Sequence, residues 1–503
     1  MASDYFSFEV TVLLIAITTV LLLIKMQKRS RLSLPGPWSL PILGNFFQLG
    51  NQAHVSLTKM RKVYGDVFLI KLGMMPIVVV SGPDTVRKVL IKQGEHFADR
   101  PYLYSFSLLA EGKSLAFSKK YGESWKIHKK LLKNALRALS NKEASSSNCS
   151  CCLEEYVSAE ASELVNTMEQ LSTKQGHFNP LPFITITVAN VVCALCFGTR
   201  YSYHDKEFLK IIELNEDLQR LSGAGLLADF IPVLRYFPSS ALKEFKSFVD
   251  AFNGFMTKNV QDHFKSYDEN NIRDITDSLI QICNDKSTDK TQKLSNEEII
   301  STVKDIFGAG FDTITSALLW CLVYLLKYPE VQDKIHKEID EIIGISRAPR
   351  FNDRKNLHYT EAFINEVLRH SSFVPFTIPH CTTMDTTLND YFLPKNTTVF
   401  VNMYQVNHDP TVWKDPDLFV PERFLDGEGR IEKSLIEKVL IFGSGVRKCS
   451  GEDVARNEMC TILTSILQRL HLEKEPGQNV ELKSVFALSM KPKPYKIKVV
   501  NRA

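Results

Sequence analysis

The sequence predicts a mainly α-helical fold with a smaller β region, preceded by a single N-terminal transmembrane helix. Three observations carry that expectation. Apolar residues recur at helical spacing over long stretches, the longest being Asn296–Lys327, with others at Trp125–Lys133 and Phe183–Phe197. Period-two alternation is confined to residues 65–80 and 378–402, which read as short strands. An apolar run from Val10 to Ile24 stands near the N-terminus and is followed at once by Lys25, Lys28, Arg29 and Arg31.

At 503 residues, 44% hydrophobic and 23% charged, the chain has ample material for a large core, and its length alone suggests two or three domains. A net charge of +4 is too mild to argue for a nucleic-acid partner. Ten cysteines in such a length are no disulfide framework, their spacings point to no zinc site, and mostly free thiols suit a reducing, cytosolic setting. Cys149, Cys151 and Cys152 cluster in a serine-rich loop.

Taken in order, Tyr5 to Ile24 is about long enough to cross a bilayer, which takes roughly 20 residues. Asp4 and Glu9 lie before it and the basic residues after it, so the positive-inside rule places the N-terminus in the lumen and the rest in the cytosol. A cleaved signal peptide would want positive charge before the run and a small-residue site after it. Residues 1–25 therefore read as a retained anchor, and 26–45, with Leu34-Pro35-Gly36-Pro37 and Pro41, as a basic and proline-rich hinge. Residues 65–80 read as a hairpin, and Asp84–Gly94 as a helix between Gly82-Pro83 and Gly94. Trp125–Lys133 is an amphipathic helix with a basic face, which on its own is as often solvated surface as a docking site. Phe183–Phe197 suits a buried helix. Leu218, Leu221 and Gly223–Gly225, before Asp229-Phe230-Ile231-Pro232, suit a helix–loop–helix lid, and 284–295 a polar linker with Ser295 as N-cap.

The helix Asn296–Lys327 is odd in its middle, where Gly308-Ala309-Gly310 and Asp312-Thr313 interrupt apolar neighbours. Each glycine costs about 1 kcal/mol against alanine and a buried aspartate costs more, so stability does not explain them. An accidental bend is the bland alternative. Glu366 and Arg369 stand at the i, i+3 spacing of a helical ion pair, common on surface helices, and Pro421-Glu422-Arg423-Phe424 follows. Phe442 to Gly451 reads F-G-S-G-V-R-K-C-S-G. Ala455, Met459, Cys460, Ile462 and Leu463 then repeat at helical spacing, which puts Cys449 at or just before a helix N-terminus that favours a thiolate, with Arg447 adding a cation. Most lone cysteines are small buried hydrophobes, but such a cysteine has no need of three glycines and an arginine.

That last run matches F-x-x-G-x-R-x-C-x-G, the haem-binding signature of the cytochrome P-450 family, and from Pro35 onward the chain resembles its microsomal members. F-G-A-G-F-D-T-I-T (307–315), R-P-Y-L-Y-S-F-S-L (100–108), A-D-F-I-P-V-L-R-Y (228–236) and F-T-I-P-H-C-T-T (376–383) resemble animal family 1, the aryl-hydrocarbon-hydroxylase-like group. Met384 stands where many members have arginine, and Leu218 near where some carry a stacking phenylalanine, departures that lean towards subfamily D.

The resemblance implies the cytochrome P-450 fold, with a haem-thiolate catalytic domain over 46–503. It implies haem b held by Cys449 as axial thiolate, with Phe442, Gly443 and Gly451 in the cradle. Trp125, Lys129, His380 and Arg447 would anchor the propionates, Lys129 standing in for the family's arginine without its bidentate fork. Thr313, with Asp312 behind it, would organise the water chain that delivers protons during reductive O2 activation. Glu366, Arg369 and Arg423 would form a supporting triad outside the chemistry. Phe106, Leu218, Ala309, Phe311, Ile378 and Leu488 would line an apolar pocket suited to planar aromatic molecules.

No dinucleotide or flavin site is apparent, so electrons would come from NADPH through NADPH–cytochrome reductase, docking on Lys126–Lys133, Lys438 and Lys448, with cytochrome b5 a further partner and membrane lipid beneath. The implied activity is an NADPH- and O2-dependent monooxygenase that hydroxylates or O-dealkylates lipophilic, planar aromatic or steroid-like compounds on the endoplasmic reticulum. A haem-thiolate isomerase or dehydratase that rearranges peroxides is the alternative, which the Asp312-Thr313 pair argues against. A non-catalytic haem-binding membrane sensor is another.

Overall fold

The structure, a computed structural model, describes residues 32–110, 113–140, 153–203, 205–213, 226–237, 239–284 and 293–502. The expected anchor at 1–25, Leu218 and the cysteines at 149–152 lie outside the described residues.

Residues 35–45, expected as a hinge, are docked on the first strand. The Leu69 N–H donates to the Pro35 carbonyl at 2.8 Å and the Asn45 N–H to the Lys71 carbonyl at 2.7 Å. Gly36 allows that contact, since a Cβ there would sit 2.0 Å from the Leu69 carbonyl oxygen. After helix α1 (Ala53–Tyr64), strands β1 (Val67–Leu72) and β2 (Met75–Val80) form the predicted antiparallel hairpin. The single helix expected over 84–94 is instead an α turn (Pro83–Arg87) that widens into a π turn (Lys88–Lys92) before a 3-10 turn (Gly94–Phe97). π turns commonly mark functional sites, and this one is where the cysteine loop rests.

The helical body comprises α2 (Tyr104–Ala110), α3 (Glu123–Ser140), α4 (Leu153–Gln175), α5 (Leu181–Phe197), α6 (Ser240–Ser266), α7 (Ile275–Asn284), α8 (Asn296–Lys327), α9 (Pro329–Ile342), α10 (His358–Ser371) and α11 (Glu452–Arg469). Helix α8 is its axis, with α5, α6, α7, α10 and α11 packed around it. Its start is secured as expected: the Glu298 N–H donates to Ser295 Oγ at 3.2 Å, and the Ser295 N–H to the Glu298 carboxylate at 2.8 Å. From Ile314 to Leu326 it is buried throughout, so although long and apolar enough to span a membrane it is the spine of a core. Gly310 lets α5 come close, because a Cβ would meet Val192 Cγ2 at 3.1 Å.

Strands β3 (His380–Cys381), β4 (Thr386–Leu388), β5 (Tyr391–Leu393) and β6 (Thr398–Val401) make up the second β segment. β6 pairs parallel to β2 and antiparallel to β3, giving a sheet of order β1-β2-β6-β3. Alternation sorts its side chains: Val78, Val80, Val399 and Val401 enter one apolar cluster, Phe68, Ile70, Ile77 and Val79 the other. β7 (Leu470–Lys474) leaves directly from α11 and pairs with β10 (Ile497–Asn501), while β8 (Ser484–Val485) pairs with β9 (Lys491–Pro492), which lies against α8.

Candidate functional site: a cysteine loop facing the central helix

The loop before α11 is shaped by its glycines. Gly443 has φ +66° and Gly445 φ +69°, both in the left-handed region that side chains disfavour. At Gly445 a Cβ would also fall 1.7 Å from the Leu90 carbonyl oxygen, so the loop is pinned on the π turn. The Cys449 N–H then donates to the Phe442 carbonyl at 2.9 Å and closes the loop three residues before α11 begins. Gly451 is different: its φ is −98° and a Cβ would meet nothing within 4 Å. The Phe442 ring carries the Arg456 guanidinium at 4.8 Å.

Cys449 is exposed by surface area, with protein packed closely on the remaining sides. Burial pushes its thiol pKa up, and the Gly451 N–H, Lys129 and Lys448 only oppose that. The expected low-pKa cysteine is thus not made by the helix terminus, because desolvation outweighs it. A coordinated cation would supply the missing charge, since a ligating thiol is deprotonated outright.

Beside the loop lie two cations, Arg447 half-buried and Arg100 buried. Arg447 donates to the Ala98, Leu115 and Ser118 carbonyls at 2.7, 3.0 and 3.2 Å. Arg100 is buried and donates to Ala116 at 3.0 Å and to Ile378 and Pro379 at 2.9 and 3.0 Å. Among the described residues neither forms an ion pair; burial and the charge of Arg447 push the Arg100 pKa down. His380 presents Nδ1 to the Phe97 carbonyl at 2.8 Å, and burial with the two arginines pulls its pKa to about 3, so the ring is neutral with Nε2 bare. An exposed thiol next to two arginines that form no ion pair among the described residues fits haem b, whose iron Cys449 would ligate and whose propionates the arginines would hold.

Trp125 and Lys129 are engaged elsewhere. The Trp125 indole N–H donates to the Leu115 carbonyl at 2.9 Å, and the Arg447 guanidinium stacks on its ring at 4.2 Å. Lys129 turns under the cysteine loop and donates to the Val446 and Lys448 carbonyls at 2.6 and 2.8 Å. Arg100 is the cation that sequence reasoning missed; it opens a quoted run, but only the fold carries it to Arg447.

In the middle of α8, Gly308 and Ala309 are exposed although the helix beyond them is core. Thr313 Oγ1 donates to the Ala309 carbonyl at 2.8 Å, which leaves its lone pairs to accept. Asp312 points away from it, as successive helical residues must, and meets Lys491 Nζ at 2.9 Å. Burial pushes the Asp312 pKa up and Lys491 opposes that; Oδ2 has no hydrogen-bond partner.

Glu366, Arg369 and Arg423 come together in full. Arg369 binds Glu366 with both prongs at 2.7 and 2.8 Å, Arg423 Nε reaches it at 3.0 Å, and the Val420 N–H at 2.9 Å. Arg369 Nη1 also donates to the Asn407 and Pro416 carbonyls at 2.8 and 2.9 Å, so the buried charges are satisfied.

The proposed pocket residues are scattered in character. Ala309 is exposed, Phe106 is half-buried against Phe117 at 4.5 Å, and Ile378 is half-buried with its carbonyl on Arg100. Phe311 is 1% exposed and packs on Phe307 at 5.5 Å, a core position, whereas Leu488 is 58% exposed.

Comparison with known proteins agrees with this geometry. The profile of the family described as "Cytochrome P450" matches residues 34–499. Over 499 residues the chain is 46% identical to "Cytochrome P450 1A1" of Oncorhynchus mykiss, covering 97% of this chain and 96% of that one. It is 48% identical over 472 residues to "Cytochrome P450 1A3" of the same fish (93% and 90% covered), and 47% identical over 459 residues to "Cytochrome P450 1A1" of Homo sapiens (91% and 90% covered). Likeness of that length and identity settles membership: the chain belongs to the cytochrome P450 family of haem-thiolate monooxygenases.

Proposed function

We propose that the protein is a membrane-anchored monooxygenase that uses NADPH and O2 to hydroxylate or O-dealkylate lipophilic, planar aromatic or steroid-like compounds at the cytosolic face of the endoplasmic reticulum. The observation that carries this reading is the open thiol of Cys449, held by the Gly445-pinned loop next to Arg100 and Arg447, which among the described residues form no ion pair. Haem, when bound, supplies O2 activation, with the thiolate favouring O–O cleavage. Residues of this chain would hold it: Arg100 and Arg447 would offer their charges to its carboxylates, Lys129 holds the loop, and Thr313, with Asp312 in the same helix, would hold and pass protons.

Partner surfaces support the reading. Lys130, Lys133 and Lys438 are exposed and Lys448 pairs with its neighbour Glu452, so a basic face remains around the loop for an acidic reductase, and for cytochrome b5 on the same side. It is smaller than the sequence implied, since Lys126 is paired with Glu95 and Glu123. Exposed Trp38, Phe47, Met74, Leu227, Tyr236 and Phe237 lie on segments joined by the Met74–Phe230 hydrogen bond and the Phe46–Phe230 ring contact, an apolar face suited to the lipid surface beside an anchor at 1–25. Docking of residues 35–45 on β1 makes the hinge between them short. Met384, which argues for subfamily D, sits half-exposed on the surface.

The test is turnover of an alkoxy-aromatic O-dealkylation panel with reconstituted reductase. Product should require O2, NADPH and reductase, and the reduced carbonyl complex should show the thiolate-type Soret band. Product from a hydroperoxide alone, with none from O2 and NADPH, would replace this reading with peroxide rearrangement.

A further inference from the structure

We propose that Asp333, His336 and His471 form a binding site for a divalent transition metal of the zinc class, where α9 meets β7. The site stands at the opposite end of α11 from Cys449, and α11 has 18 residues, about 27 Å of helix. Asp333 and His336 are three apart on α9 and so share one face; His471 comes from β7, paired there with Val500. Their ligand atoms all lie within 4.8 Å of one another, and the two imidazole rings are 5.6 Å apart at 52°.

His336 supplies a second, independent observation. It is 8% exposed, yet among the described residues its Nε2 has no hydrogen-bond partner. Buried imidazole nitrogens without partners are uncommon because desolvation is then uncompensated, and a metal ion would remove the deficit. Arg502 is the cation nearby, but it is paired with Asp340 at 2.5 Å and donates to the Leu467 and Gln468 carbonyls at 2.9 and 3.1 Å. Two imidazoles and a carboxylate are the donor set of three-ligand zinc sites that complete their shell with water, and imidazole disfavours calcium or magnesium. Donors around a tetrahedral ion at bond lengths of about 2.0–2.1 Å stand about 3.3 Å apart, so the group must close by about 1.5 Å. Asp333 is exposed and His471 half-buried, leaving both free to swing inward.

The test uses the full-length holoenzyme, freed of affinity tag and stripped with a chelator, then dialysed against micromolar zinc and counted by elemental analysis with haem iron as the internal reference. About one zinc per iron should bind, with the thermal midpoint rising. His471→Ala and Asp333→Ala should each weaken binding about tenfold or more, the loss that even a supporting group outside the metal shell causes, and should abolish the thermal shift. These variants decide, because His336→Ala opens a buried position. Zinc uptake unchanged in both variants, which would place the ion on cysteines elsewhere, or no stoichiometric uptake at all, overturns the proposal.

Discussion

Lys491 places its ammonium 2.9 Å from the Asp312 carboxylate, an ion pair between strand β9 and the middle of the central helix. It is the largest of the attractions that oppose desolvation at Asp312, which neighbours Thr313 in the chain. Lys491→Met should therefore raise the Asp312 pKa further, so that the carboxyl is protonated over a wider range. The acid limb of the pH profile of product formed per NADPH should move to higher pH. Superimposable profiles for the variant and the wild type would remove Lys491 from proton delivery.

Glu366→Ala would leave Arg369, wholly buried, without its carboxylate. Breaking a buried pair in this way costs about 3–5 kcal/mol, a large part of a domain's stability. The expected result is a strong fall in the haem-to-protein ratio and in the urea midpoint. Arg423→Lys keeps a cation near Glu366 but loses the fork that reaches the Lys414 and Leu418 carbonyls, and should fall in between.

The glycines of the cysteine loop separate cleanly. Gly445→Ala meets both a φ of +69° and a carbonyl 1.7 Å away, so the loop must leave the π turn and haem retention should collapse. Gly451→Ala meets neither obstacle and should be within about 1 kcal/mol of wild type. Haem loss to an apo-globin acceptor measures both; equal retention in the two variants would refute the pinning.

Glu458 on α11 is buried, among the described residues its Oε1 has no partner, and burial pushes its pKa up to about 8. In the unfolded chain it ionises near pH 4.3, so between about pH 4.3 and 8 only the unfolded state releases the proton and stability declines. Glu458→Gln removes that drain. Its thermal midpoint should gain on wild type as pH rises from about 4.5 to 8, then keep a constant lead; a lead that is independent of pH would show that Glu458 titrates normally.

Much of the site was legible because its signals are local. The spacing of Glu366 and Arg369, the glycines before Cys449 and the capping box at Ser295 each act within a turn or two of chain, where sequence distance equals spatial distance. Lys129 misled for the complementary reason. Its motif placed it correctly on α3, but whether its ammonium meets a ligand or the Val446 and Lys448 carbonyls depends on a loop more than 300 residues away. Phe311 was likewise assigned to a pocket on position, but it is 1% exposed and packs on Phe307 of its own helix, whose ring in turn meets Phe197 of α5 and Phe252 of α6.

What the sequence by itself determined is the local pattern: a cysteine in a glycine-bounded loop just before a helix, a helix whose middle is polar and small, and the helices and strands that carry them, all consequences of residue type and short-range periodicity. Tertiary structure decided the electrostatics. It set Arg100 beside Arg447, tied Asp312 to Lys491, raised the Cys449 and Glu458 pKa values and left His336 without a partner. Burial and charge at each of these groups come from segments far apart in the chain, and no local pattern records which of them will meet.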